Sequence, residues 1–191
     1  MLKSAVIVLL TAVSFVNSMK PQLYQVAEEP LETFKINLDD APKLRFVEPT
    51  KKYAAKIITT IEFYEKNVIE RMVSDHLATV VDYSYWIGHR ESYLEMDGIA
   101  NILGISTKRI VVVNFAYEFM VYCTSLLAKQ EDGLLMHLRL YDFLAPEQTK
   151  EITYIGEYYK GGKLLFSAVM NGGTPFFPTG FKKGGFSISM N

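Results

Sequence analysis

Apolar residues recur along this chain at two spacings, and the change between them falls at its single cysteine, Cys123. Tyr53, Ile57, Ile61, Tyr64 and Val68 stand three or four apart, with Lys51, Lys52, Lys56, Glu62 and Lys66 between them. That pattern predicts an amphipathic helix of about five turns, opened by Pro49-Thr50. Residues 71–87 are apolar up to a break at Gly88. Glu91 to Leu103 predicts a second amphipathic helix, with Tyr93, Leu94, Met96, Ile99, Ala100 and Leu103 inward and Gly104 as its C-cap. Ile110 to Tyr122 is almost wholly apolar, Glu118 being its one charge, and periodicity leaves it open as a buried helix or a strand.

On either side of the helices the period is two. Residues 19–50 carry Pro21, Pro30, Pro42 and Pro49 and read as extended chain with turns. Within them Phe34-Lys35-Ile36-Asn37-Leu38 alternates and predicts a strand, closed by Asp39-Asp40-Ala41-Pro42. From Cys123 onward, 123–128, 134–141, 151–158, 163–170 and 185–190 all predict strands. Turn formers join them at Glu131-Asp132-Gly133, Lys160-Gly161-Gly162 and Asn171-Gly172-Gly173. Short turns at this spacing predict an antiparallel sheet. Lys129 to Gly133 serves as a hairpin loop, which sets the strand of Cys123 beside the strand of Arg139 and Asp142. The fold class is therefore α+β, helices first and sheet second, with the boundary at the cysteine.

Composition narrows the function. The chain has 191 residues, 20 basic and 21 acidic side chains, and no basic stripe, so nucleic acid is not an expected partner. Lys3 followed by the apolar run Ala5 to Val16 reads as a secretory leader over residues 1–18, with Val16-Asn17-Ser18 at the cut. The run is short for a bilayer span. In a secreted chain a lone cysteine has no internal disulfide partner. Cys123 is then a buried thiol, a link between chains, or a nucleophile. Cutting the Tyr122–Cys123 bond would give Cys123 a free α-amine with a pKa near 8, and that amine could serve as the thiol's own base. His76, His89 and His137 form no evident cysteine-protease pattern.

Asn114-x-x-Tyr117-Glu118, Cys123-Thr124-Ser125, Gly133, His137, Arg139, Asp142 and Phe143 together resemble the acid ceramidase and N-acylethanolamine-hydrolysing acid amidase family. Phe34 to Asp39, Met96-Asp97-Gly98-Ile99-Ala100 and Thr179-Gly180-Phe181-Lys182 stand in the same order as in that family, so the resemblance spans about residues 34–191. It implies an N-terminal-nucleophile hydrolase with an αββα sandwich. The precursor would cut itself between Tyr122 and Cys123, leaving a helical piece, 19–122, associated with a sheet piece, 123–191. It implies a lysosomal or secreted enzyme that hydrolyses the amide bond of N-acylated lipids, ceramide or N-acylethanolamine, without cofactor or metal and with transient contact at a membrane surface. Cys123 would attack the carbonyl, Arg139 would orient it and help hold Asp142, and Asp142 would position the α-amine.

Two departures stand out. The family pattern has glycine and asparagine where this chain has Leu138 and Leu140, and a side chain in place of the glycine predicts crowding of the site. The chain also stops at Asn191 within a strand pattern. The resemblance implies a longer protein, whose remaining part carries an oxyanion-stabilising asparagine and a further arginine. A fragment of a longer enzyme is the first expectation. A non-catalytic relative that binds lipid or a partner is the alternative.

Overall fold

A computed structural model describes residues 30–70, 73–120, 122–133, 135–142 and 146–190. The expected leader over 1–18 lies outside them. The chain runs through β1 (Thr33–Asn37), α1 (Val47–Tyr64), α2 (Asp75–Gly88), α3 (Arg90–Leu103) and α4 (Thr107–Met120). It continues through β2 (Tyr122–Lys129), β3 (Leu135–Asp142), a short α5 (Pro146–Lys150), β4 (Thr153–Lys160), β5 (Lys163–Asn171), β6 (Thr179–Phe181) and β7 (Ser187–Ser189). The mixed helix and sheet content is that of an α+β protein.

The helices follow their apolar stripes. In α1 the buried set includes Ile57, Ile61 and Tyr64, and the stripe continues to Val68 through a π-helical turn at Glu65–Ile69. α3 ends where expected: Gly104 takes φ +67°, a left-handed conformation that costs glycine little. The ambiguous apolar run is the helix α4, with Ile110 and Val111 fully buried. Ser74 caps α2 by accepting a hydrogen bond from the Leu77 amide at 3.2 Å.

The strands depart from the expected single antiparallel sheet. β1, β4, β5, β6 and β7 form one five-stranded sheet in that order, while β2 and β3 pair only with each other. β1 is parallel to β4, in register from Thr33 opposite Ile155 to Asn37 opposite Tyr159. A strand from before the cysteine is thus hydrogen-bonded to one from after it. The helical turn of α5 and the short β6 gave no readable period in the sequence.

Along β4, Tyr154, Gly156 and Tyr158 alternate into the core, where they meet Ile36, Met96, Ile99, Ala168 and Met170. α3 approaches the preceding 3₁₀ turn, Pro42–Leu44, at Gly98. A Cβ there would sit 2.7 Å from the Lys43 Cα and overlap its carbonyl. Both obstacles are backbone, so Gly98→Ala is expected to destabilise the fold by about 2 to 3 kcal/mol, read from urea unfolding. The same junction carries an ion pair between Lys43 and Asp97, and Thr107 Oγ1 donates to Asp97 Oδ1 at 2.6 Å. Burial alone would raise the Asp97 carboxyl, but these partners hold it below its ordinary value.

Asp82 on α2 behaves oppositely. Burial raises its carboxyl against the field of Lys108, and Oδ1 is buried without a hydrogen-bond partner among the described residues. A carboxyl raised on folding takes up a proton more readily in the native state. Its destabilising effect therefore grows as pH rises through the raised value. Asp82→Asn is expected to raise the neutral-pH Tm by about 2 °C or more and to leave the acid-side Tm nearly unchanged. Calorimetry across pH checks this. An equal shift at both ends would show that titration of Asp82 is not the cause.

Candidate active site

The sequence brings Cys123 to the start of a hairpin because the apolar helix α4 stops at Met120 and extended chain begins at Tyr122. The turn forms where Glu131-Asp132-Gly133 predicts it. The Gly133 amide donates to the Gln130 carbonyl at 3.0 Å, and Gly133 takes φ +88°. The register that follows sets Cys123 opposite Tyr141, Ser125 opposite Arg139, Leu127 opposite His137 and Tyr122 opposite Asp142.

Strand alternation turns this register into a face. Cys123, Ser125, Arg139 and His137 share one side of the hairpin. Arg139 is the diagonal neighbour of the half-buried Cys123, roughly 7 Å away between backbones. Asp142 pairs with Tyr122 at the same end of the hairpin, in the alternate set of register positions that includes Leu138 and Leu140, so the register by itself does not set it beside Cys123 and Arg139. The contact expected between Arg139 and Asp142 involves a side chain outside those described. His137 is four residues along from Cys123, roughly 13 Å. That is far beyond the reach of a base in a cysteine–histidine dyad.

The crowding expected from Leu138 is not found, and Leu140 stands in the same set of positions. They pair with Leu126 and Thr124 and occupy the other side of the hairpin, where both are exposed. A period of two puts them away from Cys123 and Arg139 whatever their size.

The site face rests on β7 and the segment before β6. Ser125 Oγ lies 2.7 Å from Ser189 Oγ, and His137 Nδ1 lies 2.8 Å from Ser187 Oγ. Arg139 Nη1 donates to the Pro178 carbonyl at 2.9 Å, and the Met190 amide donates to the same oxygen at 2.9 Å. Pro178 and Met190 also line a largely apolar cavity of about 270 Å³ between α1, α4 and residues 171–178. Ile57, Ile61, Val113 and Phe176 form its walls. Asn114 also lines it, its Nδ2 donating to the Ile110 carbonyl at 2.9 Å and to the Gly173 carbonyl at 3.1 Å. Tyr64 OH lies 3.4 Å from Thr149 Oγ1, and burial raises its pKa, so the phenol stays neutral. One residue, Pro178, thus separates the Arg139 guanidinium from the cavity.

Sequence reasoning missed the cavity. Asn171-Gly172-Gly173 reads as a turn, yet its glycines also allow the chain to press on Ile57. A Cβ on Gly172 would sit 2.9 Å from that side chain. Among the described residues no group of His, Cys, Asp and Glu is placed to hold a metal ion. No helix among them is long and apolar enough to cross a membrane.

With the geometry in place, the chain can be set beside known proteins. No family model matches it. It is 30% identical over 184 residues to the acid ceramidase of Balaenoptera acutorostrata scammoni, covering 85% of this chain and 45% of that protein. It is 29% identical over 194 residues to the probable acid ceramidase of Caenorhabditis elegans, covering 90% of this chain and 48% of that protein. The N-acylethanolamine-hydrolyzing acid amidase of Rattus norvegicus is 26% identical over 177 residues, covering 88% and 47%. The curated homologues of this chain are acid ceramidases and an acylethanolamine acid amidase. The resemblance carried by the cysteine block is borne out over most of the chain. The chain spans about half the length of the curated relatives it matches.

Proposed function

We propose that this chain carries the nucleophile of a lysosomal hydrolase that splits the amide bond of N-acylated lipids, with ceramide as substrate and sphingosine and a fatty acid as products. The observation that carries the proposal is the register that sets Arg139 beside Cys123 at the helix-to-strand junction. Homology to acid ceramidases supports the substrate class, and the apolar cavity beyond Pro178 suits an acyl chain.

The chemistry begins with cleavage of the Tyr122–Cys123 bond. The freed α-amine of Cys123 takes the proton of its own thiol. The thiolate adds to the amide carbonyl, and the protonated amine passes its proton to the departing sphingosine nitrogen as the C–N bond breaks. The acyl group is left as a thioester on Cys123. Water, its proton taken by the same amine, then displaces the thiol and releases the fatty acid. Arg139 holds the nucleophile's end of the hairpin, and Asp142 positions the amine. Five register pairs between β1 and β4 support the association of residues 19–122 with 123–191 after the cut. The whole fold on this reading is the αββα sandwich.

The test is self-cleavage in the protein expressed from its full reading frame. Incubated at mildly acidic pH, it should give two bands, with Cys123 at the new N-terminus. An intact chain that binds ceramide without turnover would point instead to a lipid-binding relative. A new N-terminus elsewhere would remove the assigned nucleophile.

A further inference from the structure

The hairpin that carries Cys123 meets the five-stranded sheet along a polar seam. Within that sheet Gly180 and Ile188 stand in register with the buried Ala168, so Ser187 and Ser189 stand on the opposite face. The hairpin takes up both serines, Ser189 pairing with Ser125 at 2.7 Å and Ser187 with His137 at 2.8 Å. Burial follows the same seam. Cys123, Ser125, His137 and Arg139 are half-buried, whereas Thr124, Leu126, Leu138 and Leu140 on the other side of the hairpin are exposed. Two β layers in contact ordinarily interdigitate apolar side chains. Apolar contact has no direction and lets one layer slide over the other; hydrogen bonds are directional and do not.

We propose that Ser189 is a positioning residue for the nucleophile, acting through Ser125. This role rests on the amidase reading above and assigns what fixes the thiol that reading names. Ser125 and Arg139 are a register pair, and Ser125 lies two residues from Cys123 on the same face. The end of β7 holds both members of that pair. The Ser189 hydroxyl holds Ser125 on β2. The amide of the next residue, Met190, donates to the Pro178 carbonyl, which also accepts from Arg139 on β3. Cys123 is the next residue of that face beyond this clamp, roughly 7 Å along β2. The contact between Ser187 and His137 grips the hairpin two residues farther from Cys123, and Ser187 is exposed where Ser189 is half-buried. A hydrogen bond shielded from water is stronger than one open to it. Ser189 therefore contributes by where it keeps β2, and displacement of a reacting group by about 1 Å is enough to slow an enzyme about a hundredfold.

In the protein expressed from its full reading frame, Ser189→Ala should lower kcat for a water-dispersed short-acyl amide by about ten- to a hundredfold with KM unchanged. Ser189→Thr keeps the hydroxyl and should restore the rate. Ser125→Ala with Ser189→Ala should be no slower than Ser125→Ala alone, because each change removes the same bond. Ser187→Ala should leave kcat within about twofold. A second readout needs no turnover. Alkylation of the Cys123 thiol by iodoacetamide, followed by mass spectrometry on the peptide that carries it, should run about threefold or more faster in Ser189→Ala, because the strand is freed. In Ser189→Thr it should run at the wild-type rate. A wild-type protein that hydrolyses no amide while its alkylation follows this pattern counts against the amidase reading alone. Unchanged kcat in Ser189→Ala of an active protein, or unchanged alkylation, would each overturn the positioning role and leave the amidase reading standing. So would a threonine variant as slow as the alanine one. So would equal losses of kcat in Ser187→Ala and Ser189→Ala that track losses of Tm, because the serines would then act through stability alone.

Discussion

Cys123→Ala is expected to leave the full-length protein uncut and to lower amide hydrolysis by about four to six orders of magnitude, the scale seen when a covalent nucleophile is removed. The substitution deletes the thiol that would attack both the Tyr122–Cys123 peptide and the lipid amide. It should cost little in folding, because Cys123 is only half-buried and the change removes a single sulfur atom. Cleavage on gels, N-terminal sequencing and turnover of a ceramide substrate measure the effect, with unchanged thermal unfolding as the control. If the alanine variant were cut and remained active, the nucleophile would lie elsewhere. His137 is not the residue to supply a base in that case, because the register puts it four strand positions from Cys123. His137→Ala should accordingly leave the pH profile of hydrolysis unchanged.

The largest expected effect on stability is at Arg45. Its side chain is 9% exposed and ties the end of β1 to α3. Nη1 reaches Glu91 at 2.5 Å and Glu95 at 2.8 Å, Nη2 donates to the Leu38 carbonyl at 3.0 Å, and Nε donates to the Asp40 carbonyl at 3.2 Å. Glu91 is mostly exposed, but the Glu95 side chain is 12% exposed. Burial raises the Glu95 carboxyl in spite of Arg45, so this carboxylate is poorly solvated even with its partner present. Arg45→Met leaves it buried and unpaired, together with two carbonyls that lose a donor. The expected cost is about 3 to 5 kcal/mol, which is large beside the whole stability of a domain. Arg45→Met with Glu95→Met should recover most of that loss, because burying two apolar side chains avoids the desolvation of both ions. Denaturant unfolding of the single and double variants checks this. If the double variant were no more stable than Arg45→Met, the carbonyl contacts rather than the buried carboxylate would dominate.

Much of the architecture was readable before any coordinates. The stripe Ile57, Ile61, Tyr64, Val68 and the cap at Gly104 are local matters, set by helical repeat and by a left-handed residue. The hairpin carrying Cys123 and Arg139 follows from two alternating runs and one turn, so its register was nearly implied. The pairing of β1 with β4 was not readable. Parallel partners more than a hundred residues apart leave no mark in the alternation of either strand. The crowding expected from Leu138 fails for a related reason. Comparison by position sees that a glycine has been replaced, but the face on which the new side chain stands depends on the pleat.

What the sequence by itself determined is the local periodicity, the change of period at Cys123, and the block of residues that ties the chain to the acid ceramidases and acid amidase. What only the tertiary structure decided is where those pieces meet. It set Arg139, diagonal to Cys123, against the Pro178 carbonyl, opened an apolar cavity lined by that proline, and left the apolar side of α2 facing outward. Local patterns are fixed by contacts a few residues apart. A cavity or an uncovered face depends on which distant segments pack and which do not, and no window of sequence contains that choice.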